Sequence, residues 1–317
     1  MLDPVYTNGV IAVKERSLLG DKILRFTEMT AEEVLRALQE GGFGSGAEST
    51  EGEALCEAEE RSLDSFIREY APSKTELGFL LSPRDFHNAK ALVKSAKLNS
   101  DAEKLLAPEG LVPAADIATA VSKGDYALLN GELSSAVKEA LENEELTGAE
   151  TGAIFDIALY RHLYALCKWR RVLKKLLAGR ADRLNILTAM RATDREFAEK
   201  LFVGGGTLGK KQFDLIFSED EDVRAKALDN TPYGGFYALC LEAKEKGLPF
   251  TEAERALESF EAEHFADRRY ELEGREPFLY YVFRRRAEIQ NVRIILVCLN
   301  AGLSAQEIKR RLRAVQQ

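Results

Sequence analysis

Apolar residues recur every three or four positions along almost the whole chain, the period of a helix face. Between 150 and 178, Phe155, Leu159, Leu163, Leu166, Trp169, Leu173 and Leu176 follow this spacing. It predicts a single helix of about 40 Å at 1.5 Å per residue. Ile154, Ile157, Tyr160, Tyr164 and Cys167 add a second apolar strip, so this helix should be covered on two sides. Val10–Val13 could be extended, but its continuation through Lys14-Glu15-Arg16 to Leu18-Leu19 favours helix.

Helix starts are marked by capping boxes, in which a Ser or Thr and a Glu three residues later satisfy each other's backbone N–H groups. The pattern occurs at Thr30/Glu33, Thr147/Glu150, Ser218/Glu221, Thr251/Glu254 and Ser304/Glu307. Ser82-Pro83 reads as a further start, with proline at the first helical position. Glycine and proline breaks separate the helices at 41–46, 107–110, 204–206, 234–235 and 247–249. The predicted fold class is all-α.

The chain also repeats itself. AEKLLAPEGLVPAADI at 102–117 aligns with AEKLFVGGGTLGKKQF at 198–213, an offset of 96 residues, and the same step reaches Gly302. Upstream stand the related stretches DFHNAKAL, DRLNILTA and EIQNVRII, which place Asn88, Asn185 and Asn291 in one slot. The reading is three related helical units, 1–107, 108–204 and 205–317. Each has shorter helices, a long helix and an Asn-bearing helix, and the final helix is an overhang matching the start of a fourth unit. A repeat of this kind points to a stacked or ring-like architecture.

The chain has 317 residues, a net charge of −8 and 45% hydrophobic content, enough for two or three small domains. The absence of a basic bias argues against nucleic acid as a partner. Cys56, Cys167, Cys240 and Cys298 are widely spaced, which suits buried thiols in a reducing compartment. The first residues lack the pattern of a signal peptide, and no apolar run reaches the ~20 residues of a membrane span.

Candidate chemistry is sparse. Gly204–Lys210 reads G-x-x-x-x-G-K, most of a phosphate-binding loop, but Lys211 stands where Ser or Thr should hold Mg²⁺ and the preceding residues read as helix rather than strand. In the repeat, Gly206 aligns with Gly110, so a turn glycine that ends a helix with positive φ is the better account. His87, His162 and His264 form no metal-ligand pair and read as ordinary hydrogen-bonded histidines. The acidic run 218–222 lacks calcium-loop spacing and reads as capping. Two basic clusters, Lys168/Arg170/Arg171/Lys174/Lys175 and Arg284/Arg285/Arg286/Arg293, either meet acidic partner surfaces or form solvated faces with pairs such as Arg284–Glu288. No catalytic residue, cofactor site or metal site is assigned.

Several stretches carry a resemblance: YTNGVIAVKERSLL, LLSPRDFHNAKALVKSAK, AEKLLAPEGL, DRLNILTAMRA with LFVGGGTL, and RRRAEIQNVRIILVCLNAGLSAQEIKRRLR. Together they resemble the C-type subunit of the A/V-type ATPases, the counterpart of the d-type subunit in the eukaryotic vacuolar enzyme. Glu109 and Gly204 depart from the more regular Gly and Pro of that family's loop. The resemblance implies three helical bundles in a pseudo-threefold funnel without an active site or cofactor. It further implies a socket on the cytoplasmic face of the membrane rotor ring that receives the central axle, coupling ATP hydrolysis or synthesis to proton or sodium transport. Implied partners are the D- and F-type axle subunits and the ring proteolipid, with one copy per complex and a monomer when isolated. The loops at Gly110, Gly206 and Gly302 are expected on a partner-facing rim. The alternatives are a free helical scaffold and a P-loop-like nucleotide enzyme.

Overall fold

The computed structural model describes residues 3–313, and within them every regular element is helical. The chain forms two compact units. One takes residues up to Leu77 and from Glu254 onward; the other takes Gly78–Ala253.

The first unit contains α1 (Pro4–Lys14), α2 (Lys22–Phe26), α3 (Ala31–Glu40), α4 (Gly52–Tyr70) and the first turn of α5 (Lys74–Leu98). The second holds the rest of α5, then α6 (Ala114–Lys123), α7 (Gly131–Glu142), α8 (Gly148–Leu166), α9 (Arg171–Arg191), α10 (Arg195–Leu201), α11 (Lys210–Ile216), α12 (Glu221–Ala225) and α13 (Gly234–Glu245). The chain then returns to the first unit through α14 (Thr251–Phe265), α15 (Glu276–Asn300) and α16 (Ala305–Arg311).

α15 is the axis of the first unit. Phe278, Leu279, Tyr280, Tyr281, Val282 and Phe283 are all buried, so this stretch of the helix is apolar all round and needs cover on every side. α1, α2, α3, α4 and α16 pack along α15. Phe66 of α4 stacks on Phe278 at 5.6 Å and meets Tyr281 edge-on at 5.1 Å.

Arg285 lies buried in the same unit. It donates to Glu59 at 2.6 Å and Glu288 at 3.1 Å, with its guanidinium over the Phe43 ring. Burial alone would lower its pKa, but the two carboxylates outweigh it and the net direction is up. Arg293 is also held internally, by Glu53 and Glu60. The sequence cluster 284–293 is therefore largely committed inside the fold, with Arg284–Glu288 at 3.9 Å.

In the second unit, α7 packs on α8 and α13 on α9. One core joins Phe86, Val93, Ile117, Leu133, Val137 and Phe155.

Three sequence expectations change here. The helix expected over 150–178 is two, because the chain turns at Cys167–Arg170 and Trp169 faces outward. The periodicity runs through the turn because each helix buries its own face. Ser82-Pro83 does not start a helix: α5 begins at Lys74 and Pro83 lies within it. α12 is capped by Asp220, whose carboxylate accepts from Asp222 and Val223, rather than by Ser218. Val10–Val13 is helical, and the boxes at Thr30, Thr147 and Ser304 form as expected.

Replacing Arg285 by Ala should destabilise the protein by about 3–5 kcal/mol, because two buried carboxylates lose their counter-ion. Urea unfolding monitored by circular dichroism would measure this. A loss under about 1 kcal/mol would mean that the ion triad contributes little.

Candidate functional site

Three long helices carry a carboxylate and an asparagine one turn apart: Asp85/Asn88 on α5, Asp182/Asn185 on α9 and Glu288/Asn291 on α15. Residues at i and i+3 share a helix face. All six side chains are buried, so each must find partners.

Each asparagine pairs with the main chain of one downstream residue. Asn88 accepts from the Ala107 N–H at 2.7 Å and donates to its carbonyl at 3.1 Å. Asn185 does the same with Val203 at 2.9 Å in both directions. Asn291 does so with Arg313 at 2.8 and 3.2 Å. A carboxamide has one donor side and one acceptor side, so it satisfies an N–H and a C=O of one residue together.

The carboxylates hold the next stretch of loop. Asp85 accepts from the Leu111 and Val112 N–H groups at 3.2 and 3.1 Å. Asp182 accepts from the Thr207 and Leu208 N–H groups, the Thr207 hydroxyl and the Tyr233 hydroxyl, at 2.6–2.9 Å. Burial first, and then Asp182, push the Tyr233 phenol up. Glu288 accepts from the Gly20 N–H at 3.0 Å, while Arg285 donates to the Ser17 carbonyl. The third carboxylate thus holds a loop from the other end of the sequence. Gly20 lies two residues before the first residue of α2, as Val112 and Leu208 do before α6 and α11.

The glycine run at 204–206 now has an explanation. Its following amides are turned onto a carboxylate of the protein itself, in the place a phosphate would take in a nucleotide loop. Gly110 and Gly206 are not in the left-handed region, which corrects the expected reason for them. Their lack of a side chain lets the loop approach the helix. A Cβ on Gly206 would collide with Asp182, and one on Gly110 with Asp85 and with the Leu81 carbonyl at 2.7 Å.

Gly302 occupies a different slot. It ends α15 with φ +72°, and the Leu303 N–H bonds back to the Cys298 carbonyl at 3.0 Å, a Schellman ending. Asn99, with φ +48° and the Ser100 N–H on the Ser95 carbonyl, ends α5 in the same way. α16 lies between Asn291 and Arg313 as α10 lies between Asn185 and Val203.

Sequence reasoning singled out the asparagines and passed over their acidic partners, although the shared [DE]-x-x-N spacing was visible in the aligned segments. The histidines have local partners. His87 bonds the Leu105 carbonyl at 3.0 Å, His264 packs edge-on against Phe260 and Phe265, and His162 bonds the Ser82 hydroxyl at 3.1 Å and lies near Phe86. Burial holds the His162 imidazole below its ordinary pKa, against a smaller opposing pull from Glu132. All four cysteines are buried thiols, with Cys56 and Cys240 pushed up to about 12 by burial.

Repeated side-chain clamps that lock loops onto helices make this an all-helical scaffold built on a recurring motif. The chain belongs to the ATP synthase (C/AC39) subunit family, which it matches over residues 7–311. It is similar to the C-type subunit of the A-type ATP synthase of Desulfurococcus sp. (strain SY), with 29% identity over 255 residues covering 75% of this chain and 68% of the relative.

Asn185→Asp should cost about 2–3 kcal/mol, because a carboxylate oxygen would then face the Val203 carbonyl in place of a donor. Gly110→Ala should cost about 1–3 kcal/mol through overpacking. Gly204→Ala, with open space around its Cβ, should stay within about 0.5 kcal/mol. Thermal and urea unfolding of the three variants would rank them; equal losses would refute the clamp.

The pH dependence of stability has a definite sign. His162 is neutral in the folded chain at a pH where the unfolded chain's imidazole already binds a proton. Its contribution is therefore present above the unfolded chain's histidine pKa of about 6.5 and is lost as pH falls from there through the lower folded value. His162→Gln should lose less stability than the parent between about pH 7.5 and 5.5, measured by urea midpoints. An unchanged difference would remove His162 from the acid response.

Proposed function

We propose that this protein is a non-catalytic central-stalk component of an A/V-type ATPase or ATP synthase. It acts as the socket that joins the rotating axle to the membrane rotor ring. The observation that carries the reading is the family match across nearly the whole chain. The partners are then the D- and F-type axle subunits and the ring proteolipid, and the location is the cytoplasmic face of the membrane. Among the described residues no helix is long and apolar enough to cross a membrane, which is consistent with attachment through other subunits.

The architecture suits transmission of torque. A coupler must resist shear, and close-packed helices with low compressibility do so. The clamps extend that stiffness into the loops, whose ends would otherwise be tethered only by the backbone. Each clamp marks one unit of a threefold repeat, 1–107, 108–204 and 205–317, with Ala107 and Val203 at the internal boundaries. In this scheme α16 completes the third unit, and the three units form a pseudo-threefold funnel. The loops at Gly110 and Gly206, with the turn at Gly302, contribute to a partner-facing rim.

Purification of the tagged chain from detergent-solubilised native membranes tests the assignment. Mass spectrometry should recover the axle subunits, the ATPase head and the ring proteolipid in fixed ratio. Recovery of none, with intact ATPase in the same extract, would leave a free helical scaffold. A double variant, L111E with G204E, tests the rim. It should fold normally yet lose most of the recovered complex, and full recovery would move the interface elsewhere.

A further inference from the structure

The turn between α8 and α9 carries features that the fold itself does not require. Cys167 points inward, whereas Trp169 is 86% exposed. It is the only tryptophan in the sequence. Lys168 lies over its ring at 5.1 Å, and Arg170, Arg171, Lys174 and Lys175 follow. From Ile157 to Ala181 the chain has no Asp or Glu, although its net charge is −8.

Lys168, Arg171, Lys174 and Lys175 pair with no carboxylate among the described residues. Arg171 opens α9, where the helix dipole disfavours a cation, and Lys174 and Lys175 follow on the next turn. An indole left exposed gains nothing from folding, and like charges at i, i+3 and i+4 repel one another, so their presence points to something they meet.

The layout distinguishes between kinds of partner. A stable protein interface needs a broad face with an apolar core, about 800 Å² on each side. Here no other large apolar residue between Ile157 and Ala181 is exposed. A single protruding indole with Lys168 over its ring, and further cations close by in sequence, matches a lipid headgroup layer instead: tryptophan settles at the interface and lysine and arginine reach the phosphates.

We propose that the α8–α9 corner docks on an anionic phospholipid surface, with Trp169 inserted at headgroup depth and Lys168, Arg171, Lys174 and Lys175 on lipid phosphates. This stands apart from the socket reading, because it needs only the isolated chain.

Trp169 reports on itself, being the sole indole. The full chain is titrated with vesicles of phosphatidylcholine alone and of phosphatidylcholine with phosphatidylglycerol at a ratio of about 7:3, and tryptophan emission is followed. The expected result is a shift to shorter wavelength with the anionic vesicles only, weakened by added salt. The variant K174E/K175E should keep its helical circular dichroism and bind at least about tenfold more weakly in co-sedimentation. Emission unchanged by both vesicles, or shifted equally by both, would overturn the proposal. So would an indole silent toward lipid that becomes shielded only within the assembled ATP synthase, since that assigns the corner to a protein neighbour.

Discussion

A buried asparagine that pairs with both backbone groups of one distant residue is the interaction on which this structure turns. A loop leaving a helix must satisfy its N–H and C=O groups somewhere, and burying them unpaired costs free energy comparable to the bonds lost. Asn88, Asn185 and Asn291 solve the problem by the same geometry, at Ala107, Val203 and Arg313. The acidic residue one turn earlier extends the grip to the amides that precede the next helix. At the first two sites two polar side chains thus set the path of one loop, with glycine where the backbone passes closest, at Gly110 and Gly206.

The same device settles what the glycine-rich stretch at 204–206 does. A run of backbone amides turned toward one point attracts an anion. Here the anion is Asp182, also held by Thr207 and Tyr233. The feature that suggested nucleotide chemistry is real as electrostatics but is directed inward. A comparable economy operates in α15, where the arginines that looked like a partner surface are partly taken up within the unit. Arg285 compensates Glu59 and Glu288, which anchor the loops at Gly44 and Gly20.

The all-helical class was legible because it rests on local signals: a three-to-four periodicity and caps such as Thr147 with Glu150. The slot shared by the three asparagines was also legible, since it needed only self-comparison. What escaped were facts that depend on distance in the fold. Periodicity cannot register a turn whose flanking helices each keep their own apolar face, so Trp169 read as core. Proline after serine resembles a helix start, but the run Phe79-Leu80-Leu81 ahead of it was already helical and buried. Steps of 96 residues lead from Gly110 to Gly206 and on to Gly302, but α16 stands between that last glycine and the third clamp at Arg313, so the glycine falls in a different slot. That Glu288 reaches Gly20 could not be inferred from any local window.

The third clamp site therefore ties together opposite ends of the polypeptide, with consequences for biosynthesis. The unit made of Gly78–Ala253 is continuous in sequence and has all its parts once that stretch leaves the ribosome. The other unit waits. The apolar face of α4, with Leu55, Leu63, Phe66 and Ile67, emerges early but has no α15 to cover it until the end of the chain is made. During translation the N-terminal segment is therefore an unfinished half-core, whose apolar face has no α15 to pack on until the last part of the chain emerges.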